Sequence, residues 1–211
     1  MRPHLAHYLL SDFTSVHKTV RDQTANFHAV RFYDSTDSLS RVVADFLGEG
    51  LRAGQPALVI AIPAHCAGIE AALRAQNLDV AALQESGQLR LLDAEETLAT
   101  FMVDGLPDAE RFHAMGIGMV QAVSAGRADC KIRAYGEMVD VLWKRGQSVA
   151  AVLLEIFWNK VAATVEQDVS VLCGYAMNNS YVGTQQQAIC GQHTHVVGDD
   201  GTLVRAAATL H

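Results

Sequence analysis

A chain of 211 residues, half of them hydrophobic and 18% charged, is long enough to bury one generous core and too short for two full domains. Its longest apolar runs, such as residues 149–154, stop at a charge well short of a membrane span, and a formal charge of −7 with no basic tract argues against sequence-independent nucleic-acid binding. Cys66, Cys130, Cys173 and Cys190 lie far apart without a CxxC pair, and Arg2, His4, His7 and Asp12 interrupt the only signal-like run, so reduced thiols in a cytoplasm are expected.

Residues 1–26 carry mixed helical periodicity through Leu5, Tyr8, Leu9, Phe13 and Val16, without a strong cap or strand signal, and read as an added helical arm. FHAVRFY at 27–33 predicts the first strand, and the following turn offers Ser35 or Thr36 to cap a long helix that runs to about Leu51. After Gly54 and Pro56, PALVIAI is a continuous apolar run of strand length, the pattern of a strand covered on both faces. Pro63 and Ala64 start a helix ending near Asn77, a short helical segment covers 79–85, and 88–92 gives a third strand. Helices are predicted over about 94–103 and 108–125, a strand over 131–135, two helices split at Gly146, a fifth strand at VSVLCGYAM and a last helix around 181–191. GDDG at 198–201 sits between two short β-prone runs and predicts a terminal hairpin. Strands alternating with helical crossovers imply an α/β fold of three layers, a mainly parallel sheet with helices on both faces.

Charged side chains stand out where the segment is otherwise built for burial. Arg133, Glu137 and Glu155 lie within 131–159, a stretch rich in apolar residues, and each needs a partner because an unpaired buried charge costs several kcal/mol or more. Arg133 paired with Glu155 as a structural ion pair and Arg133 as a ligand contact both remain open. Ligands of such sheets sit outside the carboxyl ends of the strands. Strand direction then nominates Tyr33 and Asp34 leaving the first strand, Tyr135 and Glu137 leaving the fourth, and Tyr175 leaving the fifth. Glu155, Trp158 and Asn159 share one face of the covering helix at i, i+3 and i+4, and Arg133 shares a strand face with Tyr135, within expected reach of Glu137 or Glu155.

Other chemistry is weaker. Cys190, His193 and His195 form a C-x-x-H-x-H run that could hold a soft metal with Cys173 as fourth donor, but Cys190 falls on the preceding helix, and structural roles are the expectation. His28 opens the first strand and is expected to anchor the sheet edge opposite Asp34. No G-x-S-x-G elbow presents a nucleophile, Cys173 reads as a small core residue, and the adjacent Glu95 and Glu96 point to different helix faces.

Read in order, HAVRFYD, FLGEGLRAGQPALVIAIPAH, LRLLDAEETLATFMVDGLPDAERF, IRAYGEMVDVLW, LEIFWN, LCGYAM and ICGQHTHV resemble the MEDS family, the methanogen/methylotroph sensory domain of a dichloromethane-responsive regulator. Gly174 and Ala176 depart from it, where Ala and Pro are more usual. A more distant similarity is to RecA-like ATPases of the circadian-clock type, in FLGEGLRAG before a strand and in LDVAALQESGQLRLLD. Where those enzymes carry a Gly-rich phosphate loop with Lys, this chain has YDSTDSLS, without Gly or Lys and with Asp34 and Asp37 added, so ATP hydrolysis is not expected. The resemblance implies a degenerate RecA-like sensory domain over 27–197; the arm at 1–26 and the tail at 198–211, whose own residues predict a hairpin with 193–197, depart from it. It implies a non-enzymatic module without cofactor or metal, binding a small molecule such as a hydrocarbon derivative. Its signal would pass to a partner kinase or transcription regulator, and a homodimer is expected. The alternative is a nucleotide-binding switch or degenerate ATPase on the same scaffold.

Overall fold

The computed structural model describes residues 27–176 and 183–206, so the expected arm at 1–26 lies outside the described residues. The chain order is β1 (His28–Tyr33), α1 (Thr36–Arg52), β2 (Ala57–Ala61), α2 (Pro63–Ala75), α3 (Val80–Glu85) and β3 (Leu89–Asp93). It continues with α4 (Ala94–Ala99), β4 (Met102–Val103), β5 (Leu106–Pro107), α5 (Ala109–Ser124), β6 (Lys131–Gly136), α6 (Met138–Lys144) and α7 (Ser148–Thr164). β7 (Asp168–Ala176), α8 (Gly183–Cys190), β8 (His195–Val197) and β9 (Leu203–Arg205) complete it.

Helix starts follow side-chain chemistry. Ser35 caps α1 by accepting from the Ser38 amide, Asp93 caps α4 through the Glu95 and Glu96 amides, and Asp108 caps α5 through the Arg111 amide. Pro63 opens α2, where its missing N–H costs nothing. The region expected as one helix over 94–103 is instead the short α4 followed by a two-strand hairpin. Asp104 and Gly105 take φ values of 49° and 80°, the positive dihedrals of a two-residue turn, and Met102 and Val103 pair with Pro107 and Leu106.

The seven-stranded sheet runs β3-β2-β6-β7-β1-β8-β9, parallel throughout except that β9 returns antiparallel to β8. GDDG forms the reversal, and the salt bridge of buried Arg31 to Asp199 ties that turn to β1. One sheet face packs on α1, α2 and α3 through Leu39, Val43, Leu47, Ile69, Leu73 and Val80. The other packs on α4–α7 through Leu98, Phe112, Val120, Leu142, Leu154 and Trp158. Strand alternation assigns the inward residues: Ile132, Ala134, Val171, Cys173 and Tyr175 meet the α4–α7 layer, and Tyr33, Tyr135 and Leu172 meet the α1–α3 layer. No described helix is long and apolar enough to cross a membrane.

Candidate functional site

The sheet itself divides the nine nominated residues. Tyr33, Tyr135 and Glu137 gather at the carboxyl edge on the α1–α3 side. Glu137, which is buried, accepts from the Ile62 amide at 2.5 Å with Oε1, while Oε2 lies 2.6 Å from His65 Nδ1 and accepts from the Tyr135 hydroxyl at 3.0 Å. Beside it the Tyr33 hydroxyl donates to Asp140 Oδ2 at 3.1 Å, Oδ1 of the same carboxylate accepts from the Ala176 amide at 3.0 Å, and Lys144 reaches it at 2.6 Å. Two carboxylates thus tie together the ends of β1, β2, β6 and β7. Gly174 belongs to this arrangement: a Cβ there would overlap the Tyr135 hydroxyl, so glycine leaves room for a buried tyrosine. Asp34 is exposed in the β1–α1 turn, away from the network.

Arg133 meets neither Glu137 nor Glu155. Its strand face turns toward α1, where Nη1 donates to the Phe46 carbonyl at 2.7 Å and to Glu49 Oε2 at 2.9 Å, with the guanidinium 5.3 Å above the Phe46 ring. Gly50 admits the side chain, since a Cβ there would lie 2.8 Å from Arg133 Cδ. Glu155 lies on α7 across the sheet, so the expected Arg133–Glu155 pair is replaced by one with a carboxylate that is 75% exposed. Arg133→Ala is therefore expected to cost about 1–2 kcal/mol, as for a half-exposed ion pair with one backbone hydrogen bond. A urea-unfolding series that returned a loss above roughly 3 kcal/mol, the cost of orphaning a buried charge, would contradict this geometry.

Glu155, fully buried, heads a second polar centre with His28, Cys173, Tyr175 and His193. Its Oε1 accepts from the Tyr175 hydroxyl at 2.8 Å, its Oε2 faces Cys173 Sγ at 3.3 Å and His28 Nε2 at 3.2 Å, and His193 Nε2 lies 3.4 Å from Oε1. Burial opposes ionisation of this carboxyl, but the His193 and His28 imidazoles outweigh it and hold Glu155 well below the usual carboxylate range. The same burial, with Glu155 beside it, pushes the Cys173 thiol well above its ordinary value. Trp158 packs edge-on against Phe112, and Asn159 reaches back to His28. His28 does stand at the amino end of β1, as its position in the strand predicts, but it faces a helix that crosses the sheet.

Among the described residues, two cavities lie beside the amino-terminal halves of the central strands, whereas the ligand was expected at the carboxyl edge. One, of about 240 Å³, runs between the sheet and the end of α7 and is lined by His28, Trp158, Asn159, Val169 and Val171 among others. The larger, of about 380 Å³, opens between α1, the sheet and the β8–β9 hairpin, with Val42, Phe46, Leu172 and Leu203 as apolar wall and Arg133 and His195 as polar members. Sequence reasoning missed His65, Asp140 and the pairing of His28 with Glu155. The available signal was alternation, which sets His28 and Cys173 on one face once β1 and β7 are known to be neighbours.

A three-layer sheet of this order with a degenerate phosphate-loop position is the RecA-like class of α/β domain. Among solved structures, a KaiC-like protein from the hyperthermophilic archaeon Pyrococcus horikoshii OT3 is similar with a TM-score of 0.52 and 12% identity, over 80% of this chain and 70% of that one. The profile of MEDS, described as MEthanogen/methylotroph, DcmR Sensory domain, matches residues 27–194, and the chain belongs to that family of sensory domains. A comparison with curated proteins finds no match.

Proposed function

We propose that this chain is a non-enzymatic sensory module that takes a small, mainly apolar molecule, of the hydrocarbon-derivative kind, into the 380 Å³ cavity between α1 and the β8–β9 hairpin. The lining carries the reading: a volume within the range of small-molecule sites, walls of Val42, Phe46, Leu172, Val197 and Leu203, and one guanidinium to orient a polar end. Arg133 is thereby retained from the nominated set as a ligand contact, in a different place from the one expected. Three elements meet there, so occupancy can alter how the hairpin sits on α1, and the response passes to a partner protein through a homodimer. Its edge strand β9 supports this, with Leu203 54% and Val204 46% exposed.

The chemistry of the described residues supports binding over turnover. Burial and then the Glu137 charge push the half-buried Cys66 thiol up to about 11, far from a reactive thiolate. Only Asp34 and Ser35 separate β1 from α1, and the Ser35 side chain takes up an amide at the helix start, so polyphosphate meets no cradle. Ligand-observed NMR with short-chain alcohols, amides and carboxylates should detect saturable binding that is lost in Leu203→Trp, a cavity-filling change on an exposed strand, while ATP with magnesium gives none. Tight magnesium-dependent ATP binding would instead support the nucleotide-switch reading. Binding unaffected by Leu203→Trp, or none across the panel, would overturn the assignment of this cavity.

A further inference from the structure

His28, Glu155, Cys173 and His193 are all buried, and one donor atom from each lies within 4.8 Å of the other three. The hydrogen bonds around them fix the two histidine tautomers. Asn159 donates its Nδ2 to the Gln192 carbonyl at 3.1 Å, so its Oδ1, 2.9 Å from His28 Nδ1, must accept, and His28 carries a proton on Nδ1. His193 Nδ1 stands 2.7 Å from the Ile189 carbonyl and must likewise donate. Both imidazoles therefore aim Nε2 inward at the Glu155 oxygens, at 3.2 and 3.4 Å. The His193 contact is not aligned as a hydrogen bond, and its buried Nε2 has no hydrogen-bond partner among the described residues.

With both imidazoles neutral, His28 Nε2 can accept from the Cys173 thiol at 3.3 Å, but the His193 Nε2 lone pair faces the carboxylate with no donor; protonating His28 alone leaves that second lone pair where it is. Two imidazolium rings with centroids 4.2 Å apart would place like charges together in a buried space around one counter-charge. A cation among the four donors removes both conflicts. A tetrahedral ion with bonds of about 2.0–2.3 Å holds its ligand atoms roughly 3.3–3.7 Å apart. His28 Nε2 to Cys173 Sγ and Cys173 Sγ to Glu155 Oε2 are each 3.3 Å, and His28 Nε2 to Glu155 Oε2 is 3.2 Å.

We propose that His28 Nε2, His193 Nε2, Cys173 Sγ and Glu155 Oε2 form a closed four-coordinate site for a divalent d-block cation of the zinc class. The charge closes, because a divalent ion with one thiolate, one carboxylate and two neutral imidazoles sums to zero, which suits a buried centre. Uptake displaces the Cys173 thiol proton to solvent. Asn159, the Ile189 carbonyl and the Tyr175 hydroxyl on Glu155 Oε1 are the outer partners that orient the ligands. Four protein donors leave no open position, so the ion joins β1, β7, α7 and the segment after α8 and is not a Lewis-acid catalyst. Of the C-x-x-H-x-H run only His193 takes part; His195 stacks on Phe27. The site and the small-molecule cavity use opposite faces of the sheet, so either can fail without the other.

Full-length protein, purified under reducing conditions and stripped with a chelator, is titrated with Co2+ and then Zn2+. The expected result is one Co2+ per chain, with the visible absorption of tetrahedral cobalt and a thiolate-to-metal band in the near ultraviolet, both displaced by Zn2+. Cys173→Ser should remove the near-ultraviolet band, Cys190→Ser should leave it, and Asn159→Ala, checked as folded by circular dichroism, should weaken affinity roughly 10–100-fold. Folded, stripped protein that takes up no saturating equivalent overturns the proposal. So does cobalt without the thiolate band, or an affinity untouched by Asn159→Ala.

Discussion

Glu137→Ala is expected to lower the free energy of unfolding by roughly 3–5 kcal/mol, because it strands the Ile62 amide, the His65 imidazole and the Tyr135 hydroxyl in a buried site at once. Glu137→Gln should cost less, about 1–3 kcal/mol, since its carbonyl can still accept one of those protons while the charge facing His65 is gone. Urea unfolding with an unchanged m-value would read the difference as stability alone. A loss under about 1 kcal/mol for the alanine variant would mean that the carboxyl-edge network does not hold the four strand ends together.

Glu155→Leu is expected to be as costly, again roughly 3–5 kcal/mol when measured with a chelator present, because the buried Nε2 atoms of His28 and His193 lose the carboxylate they face and the Tyr175 hydroxyl loses its bond to Oε1. The diagnostic is the coupling. Tyr175→Phe alone should cost about 1.5–3 kcal/mol, as for a hydrogen bond to a charged group, and markedly less when Leu already stands at position 155. Strictly additive losses would show that the hydroxyl and the carboxylate do not share the bond described.

How far the residues announce this structure depends on which interaction sets each element. The apolar run at 57–61, Ser35 ahead of α1 and the alternation of strands with helical crossovers are local signals, and each element forms where they point. The Asp104–Gly105 turn carried an equally local signal, two turn-forming residues between apolar pairs, but it followed directly on a capped helix whose periodicity ran past Ala99. Gly174 stands out in the sequence and Gly50 does not, but only contact with the Tyr135 and Arg133 side chains explains either.

The sequence by itself determined the class of fold, the sensory family and the presence of charges that need partners. It also identified Glu137 and Glu155 as residues embedded in apolar segments. Tertiary structure alone decided who partners whom. Strand alternation separates Arg133 and Tyr135 from Ile132 and Ala134, but β6 is buried on both faces, so the period of two marks two sides without saying which helix covers either. Strand order makes β1 and β7 neighbours and brings His28 to Cys173 across 145 positions of sequence, and the crossing of α7 over that face adds Glu155. Those are long-range placements fixed by packing, and no local pattern of residues encodes them.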